Sequence, residues 1–237
     1  KSLQVLMAEA EEALAQRDAQ RAAEKGVTVD ELYRIEAESI EAEKRLREAA
    51  RRLSAKVAAL EPFADRLGAD VIAAALSETL EDTPAIMAVR EFIDTGTRPF
   101  LVLSGGVGLG KTVAAVRALL TGRSEYVHAV DIARRYEPWS ADKDVDRIDF
   151  AAQRMVIDDL GTERGDDPRF MEAFGQIVDQ RIGPKLYRDG TMERRMTIIT
   201  TNLRTLRERY GERTASRLAE HGTFVALSGD DMRRRTK

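Results

Sequence analysis

Two rhythms of apolar positions divide the chain. Over residues 1–25, Leu3, Leu6, Ala10, Ala13 and Leu14 recur at helical spacing among Ala, Glu, Gln and Arg, which predicts an amphipathic helix closed by Gly26. Thr28, with Glu31 three places on, has the pattern of a capping box, and a second helix is expected from about Val29 to Leu60, where Pro62 stops it. Leu46, Ala50, Leu53, Val57 and Leu60 alternate spacings of four and three, a short coiled-coil-like seam. These helices are strongly charged and hold little core of their own. Residues 1–64 are therefore expected to form an all-α arm that packs on itself or on a partner. Residues 65–96 predict two more helices, broken near Asp82, Thr83 and Pro84. The second presents Ile86, Val89, Phe92 and Ile93 on one face and ends at Gly96.

From Pro99 the rhythm changes to short apolar runs of buried-strand type: Phe100 to Leu103, Tyr126 to Val130, Arg154 to Ile157, Met196 to Thr200 and Phe224 to Leu227. Helical segments alternate with them, the first containing Ala114, Ala115, Val116, Leu119 and Leu120. This alternation predicts an α/β domain over residues 65–237, a parallel sheet flanked by helices on both faces. Such sheets bind ligands at the carboxyl ends of their strands, and the motifs below are all expected there.

Composition narrows the chemistry. There is no cysteine, which excludes disulfides and thiolate metal sites, and the two histidines, His128 and His221, are too few for a histidine-rich zinc site. No apolar run approaches the length of a membrane span and no signal peptide is visible, so a cytoplasmic protein without membrane contact is expected. The formal net charge of −3 hides an asymmetry, since residues 181–237 carry 14 basic against 7 acidic side chains. That stretch is either ordinary solvated surface or a basic face that meets phosphate.

Gly105, Gly106, Val107, Gly108, Leu109, Gly110, Lys111 and Thr112 match G-x-x-x-x-G-K-[ST] in full, between a strand and a helix, and with Val113 they are the expected nucleotide-binding residues. Glycines let backbone N–H groups turn inward on phosphate oxygens, and the following helix adds its N-terminal dipole. Lys111 is expected at the β and γ phosphates of ATP, and Thr112 at Mg²⁺. A second buried strand ends in Asp158 and Asp159. Asp158 is the expected holder of Mg²⁺ through its water shell, and Asp159 the group that orients or deprotonates the attacking water. Glu163 is either a rival base or the start of the next helix. Asn202, after Thr200 and Thr201, either reaches the γ-phosphate or caps the helix that begins near Leu203. Arg213 and Arg217 are either a solvated helix face or a finger offered to a neighbour's γ-phosphate. Lys185, Tyr187, Arg188, Arg194 and Arg195 mix cations with an aromatic on an apparent loop, the composition that tracks single-stranded DNA, or else a solvated loop. Phe170 and Phe174 read as core. Arg233, Arg234 and Arg235 are a tail or a further phosphate contact.

The phrase from Val156 through Asp158, Asp159, Leu160, Gly161 and Thr162 to Glu163 resembles the second motif of the DnaC/IstB group of AAA+ ATPases. Ile177 to Arg181 is similar to the helix that follows it in the group, Ile198 to Leu203 to the sensor-1 strand, and Arg213 to Leu218 to the arginine-finger helix. The resemblance spans roughly residues 85–235. It implies an AAA+ sheet, with Asp158 and Asp159 as the Walker B pair, Asn202 as sensor 1, Arg217 or else Arg213 as the finger, and Arg233 as sensor 2. The segment from Lys185 to Arg195 is longer than usual for the group. About twenty residues of the sequence follow Arg217, so no separate helical lid is expected, as in the group. A DnaC-type helicase loader is the function implied. Its ATP hydrolysis would be slow and assembly-dependent, its ATPase domains would form a spiral or ring-like oligomer on single-stranded DNA, and its arm would grip the replicative hexameric helicase. The alternatives are an IstB-type transposition helper, binding duplex DNA and a transposase, and a nucleotide-gated adaptor with negligible hydrolysis.

Overall fold

The computed structural model describes residues 3–77, 82–135, 148–163, 168–187 and 189–232. By internal contacts the chain forms two units, residues 1–54 and 55–237. The first unit is a helical hairpin. Helix α1 (Leu3–Lys25) ends at Gly26, whose φ of 67° only glycine adopts freely, and α2 (Val29–Leu60) begins beyond it. The capping box forms as its spacing predicts. The Thr28 N–H donates to the Glu31 carboxylate at 2.9 Å, and the Glu31 N–H donates to Thr28 Oγ1 at 3.2 Å. Leu32 and Ala22 are buried in the hairpin, and the Tyr33 hydroxyl donates to buried Asp18 at 2.5 Å. Farther along α2 the stabilisation is local: Arg45, Arg47 and Arg52 each pair with the glutamate four residues before them. That acid-before-base order contributes roughly 0.2–0.5 kcal/mol per pair in an isolated helix.

The second unit begins within α2. Leu60 and Phe63, which the expected boundary at residue 64 assigns to the arm, are buried in the core of this unit together with Leu67. Short helices α3 (Ala64–Leu67) and α4 (Ala69–Leu76) lead to α5 (Pro84–Thr95). Thr83 caps α5 by accepting from the Ile86 N–H at 3.3 Å, Pro84 fills its first turn, and Gly96 closes it in the left-handed conformation.

Five parallel strands follow, each where an apolar run predicts one: β1 (Phe100–Gly105), β2 (Ser124–His128), β3 (Arg154–Leu160), β6 (Met196–Thr201) and β7 (Gly222–Leu227). Their order is β2-β3-β6-β1-β7, the parallel sheet that the alternation predicts. Leu101, Leu103, Val156 and Ile198 point to the layer of α4, α5 and α6 (Lys111–Arg117). Phe100, Val102, Ile157 and Ile199 point to the opposite layer of α7 (Ala129–Arg135), α8 (Pro168–Arg181) and α9 (Arg207–His221). Over β1, β2, β3 and β6 both faces are covered, which is why these strands read as continuous apolar runs rather than alternating ones, whereas the edge strand β7 leaves Phe224 exposed.

One segment departs from expectation. Residues 185–195 are not a plain loop: β4 (Lys185–Leu186) and β5 (Met192–Glu193) pair antiparallel as a small hairpin. It joins the end of α8 to the start of β6, so it lies at the amino-terminal edge of the main sheet, not at the carboxyl edge where all motifs were expected. Beneath it, fully buried Arg181 donates through Nε to Thr197 at 2.5 Å and through its other nitrogens to the carbonyls of Phe150, Ala152 and Met196 at 2.8–3.0 Å. Burial pushes this guanidinium down to about 9. Four neutral acceptors take the place of a carboxylate and hold the edge together.

Candidate nucleotide site

Strand β1 delivers the chain to the glycine loop, and α6 starts at Lys111. Gly108 (φ 79°) and Gly110 (φ 73°) take left-handed conformations. A Cβ on Gly108 would also lie 1.8 Å from Asp231 Oδ1, because residues near the end of the described chain lie against the loop and the Met232 N–H donates to the Gly108 carbonyl at 3.0 Å. The Lys111 side chain is buried, and its ammonium donates to the carbonyls of Gly105 (2.9 Å) and Gly106 (2.7 Å) and to Asn202 Oδ1 (2.9 Å). An ammonium has three protons, and each has an acceptor here. Asn202, at the end of β6, therefore meets the loop through Lys111.

Asp158 is the hub of the other half of the cleft. It is 1% exposed. Its Oδ1 accepts from Thr112 Oγ1 at 3.0 Å and from Thr200 Oγ1 at 2.5 Å, and its Oδ2 accepts from the Tyr126 hydroxyl at 2.8 Å. Burial, and then the charge of Asp158, raise the Tyr126 hydroxyl well above its ordinary range, so it stays a donor. Threonine oxygen and carboxylate oxygen side by side are the donor set a Mg²⁺ ion takes. Asp159 stands at a bulge in the β3–β6 pairing with φ 54°, the one non-glycine residue with positive φ among the described residues. Its N–H donates to Thr200 Oγ1 at 2.9 Å, and its carbonyl accepts from the Thr162 N–H and hydroxyl at 3.1 and 2.8 Å. Aspartate tolerates this backbone region better than most residues, at a cost on the order of 1 kcal/mol, and strain of this kind gathers at functional sites.

No protein-family model matches the chain, and no curated protein matches it. Solved structures do align with it. A DnaA replication initiator bound to AMPPCP and single-stranded DNA is 20% identical with a TM-score of 0.46, over 61% of this chain and 45% of that one. AMPPCP-bound DnaA from Aquifex aeolicus is 20% identical with a TM-score of 0.44, over 62% of this chain and 47% of that one. The structure of DnaI is 19% identical with a TM-score of 0.45, over 65% of this chain and 87% of that one. The chain thus spans less than half the length of these DnaA chains.

The remaining expected residues are distributed differently. Glu163 is buried and fully engaged: Tyr210 donates to it at 2.6 Å, Arg209 Nε at 2.9 Å and the Gly161 N–H at 2.9 Å. It braces the loop after β3 against α9 instead of standing open as a base. Burial, then Glu163, raise the Tyr210 hydroxyl. Arg213 and Arg217 lie on α9, across the sheet from α6, and both pair with Asp179 of α8, Arg213 at 3.2 Å. They are not part of this chain's own phosphate loop. On the amino-edge hairpin, Lys185 lies over the Tyr187 ring at 4.7 Å and Tyr187 donates to Glu193 at 2.6 Å. Arg195 donates to the Gln180 carbonyl, and the exposed Arg194 lies against Gly96. Arg188 and Arg233 to Arg235 lie outside the described residues. Phe170 and Phe174 stack in the core. Sequence reasoning missed Tyr126, Thr200 as a partner of Asp158, and the Arg209–Tyr210 clamp. For Tyr126, a tyrosine inside an otherwise apolar buried run was the available signal, because its hydroxyl needs a partner.

Proposed function

We propose that this chain binds ATP with Mg²⁺ at the Lys111–Asp158 cleft, hydrolyses it, and serves as an AAA+ helicase loader in replication initiation. The observation that carries the ATPase reading is the convergence of Lys111, Thr112, Asp158 and Asn202 at the carboxyl ends of three adjacent strands. On binding, the phosphate oxygens take over the Lys111 ammonium from the two loop carbonyls. Asn202 is then released to reach the γ-phosphate. Thr112 and Asp158 would hold Mg²⁺, whose charge would offset the charge that develops on the phosphates. Asp159 orients the attacking water. Arg217, with Arg213 second, serves a neighbouring subunit, which makes turnover depend on assembly.

The loader reading is supported by the arm. Leu46 and Leu53 of the seam are 72% and 50% exposed, a row of apolar side chains on a charged helix, as suits a partner helix laid along it. The basic hairpin is the surface offered to single-stranded DNA.

Binding of a fluorescent ATP analogue and phosphate release are measured for the wild type, Lys111→Ala and Asp159→Asn. Lys111→Ala is expected to abolish binding, and Asp159→Asn to bind without turnover. Wild-type binding with no turnover, even at high protein concentration, would replace the enzyme by a nucleotide-gated adaptor. The loader is tested by pull-down of the replicative helicase with the wild type and with Leu46→Glu/Leu53→Glu. Capture by the wild type alone supports it. Capture by neither ends it and turns attention to duplex DNA and a transposase.

A further inference from the structure

We propose that His128, Asp158 and Asp159 form a site that binds a first-row divalent transition cation directly, with Mn²⁺ the best match. The proposal concerns the nucleotide-free chain: it shares Asp158 and Asp159 with the nucleotide site and does not need ATP. His128 ends β2, directly across the parallel ladder from Asp158 on β3. One ligand atom from each of the three residues lies within 4.8 Å of the others.

The hydrogen bonds around the ring fix which nitrogen is available. Nε2 of His128 lies 3.1 Å from the Arg66 carbonyl oxygen, which can only accept, so Nε2 carries the proton. Its other neighbour, the Tyr126 hydroxyl at 3.3 Å, already gives its own proton to Asp158 Oδ2 and also serves as an acceptor. The second ring nitrogen, Nδ1, is left toward Asp158 Oδ2 at 4.0 Å, too far for a hydrogen bond. A metal-binding histidine is arranged in this way, one nitrogen donating to a backbone carbonyl and the other presented to the ion. Two ligand atoms on opposite sides of one ion, each about 2.1 Å from it, lie roughly 4.2 Å apart. The 4.0 Å spacing fits that geometry, and the Asp159 carboxylate, within 4.8 Å of both atoms, is the third ligand once its side chain turns in.

Charge and ligand type select the cation. Two carboxylates beside an imidazole are balanced by a divalent ion. Mg²⁺ favours oxygen and gives up its waters reluctantly, whereas imidazole nitrogen favours transition ions, and Mn²⁺ accepts both kinds of donor. Asp158 serves the two halves with different oxygens. Oδ1 meets Thr112 and Thr200, and Oδ2 faces His128. The His128 side chain is 33% exposed, which leaves the ion a way in from solvent.

The test is Mn²⁺ titration of the full chain without nucleotide, followed by pulsed electron paramagnetic resonance. The chain has only two histidines, so ¹⁵N-histidine labelling is nearly residue-specific. One Mn²⁺ is expected per chain, with an imidazole nitrogen coupling that changes with the ¹⁵N label. The coupling should survive His221→Gln and Lys111→Ala. It should vanish in His128→Gln, with Mn²⁺ affinity falling at least about tenfold. Bound Mn²⁺ without nitrogen coupling in the wild type, a coupling unchanged in His128→Gln, or no Mn²⁺ binding overturns the site, and the wild-type spectrum decides even if His128→Gln fails to fold. Nitrogen coupling with no ATP binding would instead sink the proposed function and leave this site standing.

Discussion

Replacing Glu163 by glutamine separates a brace from a base. The wild-type carboxylate accepts from Tyr210 and Arg209 Nε through Oε1 and from the Gly161 N–H through Oε2, with its side chain fully buried. Glutamine keeps one acceptor oxygen, which can still serve Tyr210 and Arg209. Its amide nitrogen then confronts the Gly161 N–H, donor against donor. An unsatisfied buried donor costs about 1–3 kcal/mol. Losing the charge adds to this, discounted because Arg209 is 23% exposed and keeps contact with water. A total of about 2–4 kcal/mol lowers the melting temperature by roughly 5–15 °C for a domain of this size. The assays are thermal unfolding by circular dichroism, and steady-state phosphate release at a temperature where the variant is folded. The brace reading expects the lower melting point with turnover per folded molecule within about threefold of wild type. A melting point unchanged within 1–2 °C, together with a hundredfold loss of turnover, refutes it and makes Glu163 the base.

Three other outcomes are expected. Arg181→Met leaves three carbonyls and Thr197 without their donor, and should cost about 3–5 kcal/mol in the same unfolding assay; a loss under 1 kcal/mol would mean that water replaces the guanidinium without penalty. Asn202→Ala removes one acceptor of Lys111 and the group assigned to the γ-phosphate, so kcat should fall roughly ten- to a hundredfold while KM moves less than about threefold; a change confined to KM contradicts the assignment. In the helical hairpin, the hydrogen bond from Tyr33 chiefly, then Arg17 and Arg21, hold the Asp18 carboxyl below its ordinary value of 3.8. Its stabilising contribution is therefore complete above about pH 4 and is lost as pH falls through the lowered value. A carboxyl-carbon titration by nuclear magnetic resonance should find Asp18 below 3.8 and rising toward it in Tyr33→Phe; an unshifted Asp18 in the wild type contradicts this.

The parts legible in the sequence are those governed by local rules. The capping box at Thr28 and Glu31, the Gly96 stop and the glycine loop each depend on residues within a few positions of one another, and each forms as its spacing predicts. Strands β1, β2, β3 and β6 were legible because a sheet covered on both faces writes itself as unbroken apolar runs, and the edge strand β7 was legible from its run although one of its faces is exposed. The side chains that complete the site were not. Tyr126, Thr200 and Asp158 are far apart in sequence and become neighbours only through the β2-β3-β6 order, which strand propensity does not encode. The bracing contacts of Glu163 were not legible for the same reason, since its partners Arg209 and Tyr210 come from a helix more than forty residues later.

The basic hairpin shows the limit most clearly. Composition identifies cations and an aromatic, but not the edge of the sheet on which they stand. That edge follows from connectivity. In a parallel sheet a chain leaving the carboxyl end of one strand must return to the amino end of the next, so any insertion just before a strand lies opposite the ligand edge. The segment from Lys185 to Glu193 immediately precedes β6, and the glycine loop immediately follows β1, its neighbour in the sheet. One buried strand therefore separates the hairpin from Asn202, and the threonines of β6 are tied at both ends: Thr197 to Arg181 beneath the hairpin, Thr200 to Asp158 in the cleft. Order of motifs along a chain, read with the hand and direction of its crossovers, assigns edges that residue types alone leave open.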